Sequence, residues 1–596
     1  MINCTINNKP VIVAENTTII EACRKNGITI PSLCNLDKIC NFGTCRLCVV
    51  EVEKARTLQA ACVTEVTEGM NIKTNTLKVQ KMRKVLYELL LSDHKQQCLS
   101  CTRNLTCELQ ALGTTLGVSQ SRFHFDHSHR KSEISVSITR DMDKCILCRR
   151  CISVCNEIQG VKVLNPQNRG FDTVISAAHQ IDLENSDCIY CGQCTVVCPV
   201  GALKETDSIE EVKRALDDPS TRTVVQIAPA IRVAIGEEFG YPAGMPTTGK
   251  LFTALRDLGF NDVFDTNFAA DLTIIEEGTE FLTRLKNTLL KEQPQLPMIT
   301  SCSPGWIKYC EHNFPDQLHH LSTCKSPHMM LGALVKSFYA KKIGIDPAKL
   351  FVVSIMPCTA KKFEITREEM LIDGIRSVDA VLTTRELAAL IKQSGIDYSR
   401  LEETEPDNPL GFSSGAADIF GVTGGVMEAA LRTAYELVTG REVPFEQLHL
   451  KQINGLEPIK EATIRINDPL PQYSYLDNQD LRIAVTSGVK NADVLMRQVA
   501  LGTSPYHFIE IMGCPGGCIT GGGQPRSTDP NVAQKRLEGL FAEDNRKHVR
   551  KSHENEFIGR LYDAFLINPN SHIAHEYLHT HYTPRGKFNE YIKNDE

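Results

Sequence analysis

Between Cys145 and Cys198 the chain states one spacing twice: CILCRRCISVC is echoed by CIYCGQCTVVCP, giving two copies of C-x2-C-x2-C-x3-C. An internal duplication is the simplest origin. The whole chain of 596 residues carries 24 cysteines, far more than a protein in a reducing compartment keeps without chemical use for them. Metal ligation is therefore the leading reading and disulfide bonding the weaker one. The thiols crowd before Cys198, thin out across the middle, and return as isolated residues and one close pair, Cys514 and Cys518. The chain thus has two functional zones.

A chain this long exceeds one core, and roughly three to five domains are expected. With 42% hydrophobic and 23% charged residues and a formal net charge of -7, it has an ordinary globular composition with no basic bias towards nucleic acid. No run is apolar for long enough to span a bilayer, and the opening MINCTINNKPVIV alternates like a strand, which makes a cytoplasmic location the expectation. Residues 1–78 read as a small β-rich module, and from 79 the period changes, with Met82, Val85, Leu86, Leu89 and Leu90 on one helical face leading to His94. Residues 79–125 and 126–209 hold the next cysteine groups. A charged link is expected near Ser208 to Thr221.

Beyond it, from 220 to 540, strand candidates alternate with helices: TVVQIA, PMITS before Cys302, LFVVSIMP before Cys358, RIAVTSG, and FIEIMG before Cys514. Such alternation predicts a large α/β domain with parallel sheets, in which ligands gather beyond the carboxyl ends of strands. Cys302, Cys358 and the Cys514/Cys518 pair all fall at such ends.

The duplicated run has the spacing of bacterial two-cluster ferredoxins, where the fourth cysteine of each set serves the other cluster. This assigns Cys145, Cys148, Cys151 and Cys198 to one [4Fe–4S] cluster and Cys155, Cys188, Cys191 and Cys194 to a second. A pair of zinc sites fits less well, because zinc motifs present two separated ligand pairs. Cys34, Cys45, Cys48 and Cys62 suit a [2Fe–2S] cluster, although Cys40, Cys45 and Cys48 also match the plant-type C-x4-C-x2-C core. His94, Cys98, Cys101 and Cys107 form H-x3-C-x2-C-x5-C, which by ligand type alone is equally a Cys3His zinc knuckle. Four clusters in a row make sense as an electron relay.

The segments TSCSPGW (Thr300 to Trp306), MPCTAKKFE (Met356 to Glu364) and GCPGGC (Gly513 to Cys518) are each weak alone, but in order and spacing they resemble the three signatures of [FeFe]-hydrogenases. The resemblance covers nearly the whole chain. It implies a multidomain α/β and α+β protein with a β-grasp-like ferredoxin domain, a small His/Cys3 cluster domain, a two-cluster ferredoxin domain and a large catalytic domain. It also implies a histidine-ligated third [4Fe–4S] cluster at His94, and favours Cys34, in its PSLC context, over Cys40. The catalytic group implied is the H-cluster, a [4Fe–4S] cubane joined to a two-iron unit with CO, cyanide and a dithiolate.

On matching positions Cys358, Cys514 and Cys518 ligate the cubane, Lys361 bonds a cyanide, and Ala228, Pro229, Met356 and Met512 wall the pocket. Cys302 is the implied proton-carrying thiol, with Glu280, Ser322 and Glu277 relaying towards solvent and Arg284 near the exit. A solvated helix edge would show the same Glu277/Glu280 spacing. Where the family has a second adjacent cysteine, this chain has Ser303. Serine oxygen binds iron, or another ligand replaces it, or Cys302 turns to the cubane.

The tail, 541–596, carries His572, His575, His579 and His581 in a packed amphipathic pattern, and resembles the family's small-subunit segment, here fused. The implied function is reversible interconversion of protons, electrons and H2. No flavin or dinucleotide fingerprint appears, so NAD(P) chemistry requires partner subunits; ferredoxin is the alternative donor, and maturation proteins must install the two-iron unit. The rivals are a hydrogen sensor or non-catalytic Fe–S assembly protein on the same fold, and an electron subunit of complex I or formate dehydrogenase. Cys4, Cys23, Cys310 and Cys324 are left as buried spectators.

Overall fold

The computed structural model describes residues 1–37, 39–124, 130–291, 295–444, 451–453 and 456–587. The domain boundary expected at 125/126 lies outside them. The chain separates into two compact units, Met1–Ser186 with Gln193–Lys204, and Asp187–Gly192 with Glu205–Glu596.

The first unit opens with a mixed five-stranded sheet. Ile2–Ile6 pairs antiparallel with Lys9–Val13 and parallel with Met70–Lys73, and Val49–Val52 and Gln59–Ala60 complete the far edge. The helix Ile19–Lys25 covers it, started by a reciprocal Thr18/Glu21 capping box and burying Ile19, Ile20, Ala22 and Cys23. Cys4 belongs to the same core.

The next helix, Leu77–Ser92, departs from the apolar face expected of it. Its buried residues are Val79, Arg83, Tyr87, Glu88 and Leu91, while Met82 and Leu89 are exposed. Polar anchors decide the orientation: Arg83 donates to Val49 O at 2.8 Å and the Tyr87 hydroxyl to Leu109 O at 3.0 Å. A buried guanidinium on a strand carbonyl outweighs two side chains that are merely apolar.

In the second unit, four strands form an all-parallel sheet in the order Asp262–Asp265, Arg222–Ile227, Leu350–Met356, Ala380–Thr383. Its central strands read as continuous apolar runs because both faces are covered. A second, five-stranded sheet places Met298–Ile299, Phe508–Met512 and Asp480–Ser487 in parallel, then turns antiparallel through Leu456–Arg465 and Lys451–Ile453. This sheet is thus mixed, not parallel throughout: the connection from Arg465 to Asp480 holds a single 3-10 turn, too little for the crossover a parallel return needs. The expected link near Ser208 is instead a helix, Ile209–Asp217, because Ile209, Val212 and Ala215 share a buried face.

The helix Asn267–Lys291 contributes to both cores, Phe268 and Leu272 packing with the parallel sheet and Ala270, Ile274 and Phe281 with the mixed one. No helix of the described residues is long and apolar enough to cross a membrane.

Replacing Arg83 by Met should lower stability by about 1.5–3 kcal/mol, since the Val49 carbonyl loses a charged donor, whereas Met82→Lys should stay within about 0.5 kcal/mol. Denaturant midpoints of the two variants, followed by circular dichroism, distinguish the two faces.

Candidate active site

Strand ends from both sheets carry the isolated cysteines. Leu350–Met356 leads into Cys358, Phe508–Met512 into Cys514, and Met298–Ile299 into Cys302 and Ser303. The TSCSPGW turn is fixed by its own groups: Trp306, wholly buried, donates Nε1–H to Thr300 O at 3.2 Å, and the Thr300 hydroxyl accepts Ile511 N–H at 3.1 Å. Ser303 Oγ accepts the Gly513 N–H at 3.1 Å, joining the first and third motifs directly.

Small residues let these turns approach. Gly517 has φ +95°, and a Cβ there would stand 2.9 Å from Thr423 N; at Gly521 a Cβ would meet Pro357 O at 2.2 Å. The backbone beside Cys358 therefore rests on the glycine run after Cys518. Arg385 clamps that run, donating to Gly522 O at 2.8 Å and Gln524 O at 2.6 Å while paired with Glu205.

Lys361 is buried and donates to Cys302 O at 3.0 Å and Glu364 at 2.7 Å. Glu364 also accepts from Ser326 at 2.8 Å and meets His328 Nε2 at 2.7 Å. Despite burial, Lys361 and His328 hold the Glu364 carboxyl down at about 2, and burial with the Lys361 charge takes His328 down to about 4. His328 is thus neutral and Lys361 keeps a buried counter-charge, which offsets the cost of holding an ammonium among thiols. Ala228 and Pro229 are buried where Arg222–Ile227 ends, Ala228 N–H donating to Ile355 O at 3.1 Å. Met356 packs in the core of the parallel sheet and Met512 in that of the mixed sheet.

The carboxylates Glu277 and Glu280 lie inward on Asn267–Lys291, not on a solvated edge; only 3% and 8% of their surfaces are exposed. Glu280 accepts from Ser322 Oγ at 2.9 Å and pairs with Arg284 at 2.6 Å, and Arg284 also donates to His319 O and Leu321 O. Glu277 lies beside Ser322 and is pushed up to about 8, by burial first and then by Glu280. Burial first, and Glu277 when ionised, also push the Cys302 thiol well above its ordinary value. The order along the row is therefore Cys302, Glu277, Ser322, Glu280, Arg284. The two glutamates exchange the places expected from sequence, because Arg284 follows Glu280 by one helical turn and binds it.

In the first unit Cys34, Cys45 and Cys62 are hydrogen-bonded neighbours, and Cys48 Sγ lies 3.4 Å from Cys62 Sγ. Cys40 instead bonds Ser153. Cys145, Cys148, Cys151 and Cys198 line one small cavity of about 20 Å³. His94, Cys98 and Cys107 line another of about 340 Å³, with His94 Nδ1 2.9 Å from Lys144 O, and Cys101 Sγ abuts Gly201. Four thiols around a closed space, or three with an imidazole, are donor sets that fit an Fe–S cluster.

Sequence reading missed Glu276, Thr323, Glu364, His328 and Tyr582 as neighbours of the site, and left Cys324 a spectator. Cys324 is buried with Sγ 3.9 Å from Glu280, and the Tyr582 hydroxyl donates to Ser322 O at 2.8 Å. The spacing of Glu276 from Glu280 and of Glu364 from Lys361, about one helical turn each, could have pointed to two of them.

Residues 221–522 match the family "Iron only hydrogenase large subunit, C-terminal domain" and 530–585 "Iron hydrogenase small subunit". Residues 1–77 match a 2Fe-2S iron-sulfur cluster binding domain, 83–122 the NADH-ubiquinone oxidoreductase-G iron-sulfur binding region, and 135–204 the ferredoxin-like domain of NADH-quinone oxidoreductase subunit 3. An NADP-reducing hydrogenase subunit of Solidesulfovibrio fructosivorans is 47% identical over 98% of this chain and 99% of its own. Iron hydrogenase 1 of Clostridium pasteurianum is 39% identical over 97% and 99%. A solved [FeFe]-hydrogenase of Chlamydomonas reinhardtii is 45% identical, with TM-score 0.59, covering 64% of this chain and all of that one. Cytosolic iron-sulfur assembly component 3 of Mus musculus is more distant, 30% identical over 67% of this chain and 83% of its own. Three signature turns converging on one pocket, an inward row of carboxylates and full-length relatives agree: the chain belongs to the iron-only, [FeFe]-hydrogenase family.

Proposed function

We propose that the buried row from Cys302 to Arg284 carries protons between solvent and an H-cluster held by Cys358, Cys514 and Cys518, in an enzyme that interconverts protons, electrons and H2. The hydrogenase activity is that of the family; the observation that carries the residue roles is the buried group of Glu277, Ser322, Glu280 and Arg284, with Ser322 and Arg284 both bonded to Glu280 and Glu277 beside Cys302. The H-cluster supplies, when bound, the iron chemistry on which protons and electrons combine.

The chain's own residues do the rest. Cys302 holds a proton at the site, Glu277 holds one at neutral pH because of its raised value, and the Ser322 hydroxyl donates to Glu280 with Glu277 nearby. Arg284 fixes Glu280 with two nitrogens and leaves the other carboxylate oxygen for Ser322. Lys361 offers its ammonium to an anionic ligand such as cyanide, with Glu364 and Cys302 O keeping it aimed. Ser303 takes the fourth cubane position; the Gly513 N–H bond to its oxygen favours the anionic form such a ligand needs.

The upstream modules are read as a β-grasp [2Fe–2S] domain with Cys34, Cys45, Cys48 and Cys62, a histidine-ligated [4Fe–4S] domain with His94, Cys98, Cys101 and Cys107, and two further [4Fe–4S] clusters from the duplicated run. The proposed domains are 1–78, 79–125, 126–209, 220–540 and 541–596. The NADP-reducing relative and the modules shared with NADH oxidoreductases favour partner subunits that carry flavin and nicotinamide, over free ferredoxin. A cytoplasmic location accords with such partners.

Glu280→Gln should leave iron content and cluster spectra unchanged while cutting turnover at least about a hundredfold, the usual scale of a lost proton-transfer group. Near-normal turnover would remove Glu280 from the route. Glu277 should give an infrared band of a neutral buried carboxyl at pH 7 that fades as pH passes about 8, and Glu277→Gln should abolish it. Ser303→Ala should alter the cubane's paramagnetic spectrum or its iron loading; an unchanged spectrum at full iron would take Ser303 out of the ligand set.

A further inference from the structure

At Glu280 the relay ends against a second buried chain of polar groups that it does not use. Thr323 is shared between the two: its N–H donates to Glu280 at 3.1 Å, and its hydroxyl lies 2.7 Å from His579 Nδ1. The other ring nitrogen of His579, Nε2, is 3.1 Å from Glu276 Oε2. Glu276 in turn accepts from the Tyr562 hydroxyl at 2.6 Å and from Asn570 N–H at 2.8 Å. A Glu280 oxygen, Cys324 Sγ and a His579 ring nitrogen all lie within 4.8 Å of one another, a gap one bridging water spans. His579 is buried, but its ring packs tilted by 35° against that of His575 with centroids 4.1 Å apart, and His575 is exposed.

We propose that His579 and His575 form a second proton path, by which the C-terminal small-subunit-like segment connects Glu280 to solvent on a side separate from Arg284. It rests on the reading of Glu280 as a relay residue. In the direction of H2 oxidation, the Glu280 carboxyl gives up a proton and a ring nitrogen of His579 takes it. The imidazolium so formed is stabilised by the Glu276 carboxylate, then passes one proton through a bridging water to His575, which releases it to solvent. His579 and His575 end as they began, Glu280 regains its proton from the Ser322 side of the relay, and H2 evolution runs the same steps backwards. The groups facing His579 are Glu276 and Glu280 from Asn267–Lys291, Thr323 and Cys324 from the turn after Ser322, and His575 on its own helix. Burial and the neighbouring His579 hold His575 below its ordinary value, so it sheds protons readily. A purely structural clamp would not need an ionisable ring at the surface position: an aromatic or amide side chain at 575 would pack as well.

The holoenzyme tests this with His579→Gln, His575→Gln, Arg284→Gln, the Arg284→Gln/His579→Gln double variant, and Glu280→Gln. His575→Gln, at an exposed position, should lower turnover at least about threefold, enlarge the H2O/D2O rate ratio, and regain rate on addition of imidazole. His579→Gln should do the same with cluster spectra unchanged. The double variant should fall to the level of Glu280→Gln, while each single change leaves part of the rate. Wild-type turnover in His575→Gln, or a double variant no slower than Arg284→Gln alone, overturns the second path. Should His579→Gln lose iron, His575→Gln and its imidazole rescue decide the matter alone. Near-normal turnover in Glu280→Gln would instead sink the relay itself.

Discussion

Everything at the catalytic end depends on how near the backbones of separate turns can come to one another. Cys358, Cys514 and Cys518 belong to strands of two different sheets, and nothing in either sheet forces their ends together. The absence of side chains does so: Gly517 sits against Thr423, and Gly521 against the carbonyl of Pro357. With those contacts made, Arg385 and the Ser303–Gly513 bond hold the loops in register. A single methyl at Gly521 would separate the second and third motifs before any metal chemistry could be asked of them.

The same economy shapes the electrostatics. Lys361 and Glu364, Arg284 and Glu280, and Arg367 and Glu311 are buried pairs with further hydrogen bonds to each charge. Breaking such a pair leaves a bare charge and costs several kcal/mol, whereas its net contribution to stability is modest. These pairs are better understood as fixing where charge sits than as glue. Glu277 and Glu510 differ, since among the described residues neither forms an ion pair: burial takes Glu277 up to about 8 and Glu510, despite N–H bonds from Gly424 and Met427, up to about 7. A carboxyl poised to exchange its proton near neutrality needs such a site.

Much of this is legible in the amino acids alone. Cysteine spacing marks ligand sets without any fold, and the strands before Cys302, Cys358 and Cys514 stand out as apolar runs bounded by turns. The structure corrects readings that depend on partners far away in sequence. The Leu77–Ser92 helix turns on Arg83 because its acceptor is Val49; the strand Leu456–Arg465 is antiparallel because only a short turn joins it to Asp480–Ser487; and Glu277 and Glu280 change places because Arg284 binds the nearer one. His579 cannot be linked to Glu276 from sequence, as some three hundred residues lie between them.

The Asn267–Lys291 helix, finally, sets how the proton row behaves in time. Glu276, Glu277, Glu280 and Arg284 all project from one 25-residue rod whose first two-thirds is packed into both cores. Spacings along such a rod are set by helical pitch and change little as surrounding loops breathe. In the proposed route, Glu277 and Glu280 therefore keep a nearly constant spacing on warming, and the thermally variable part of the passage falls to the groups that approach the rod from elsewhere, Cys302, Ser322 and the C-terminal histidines.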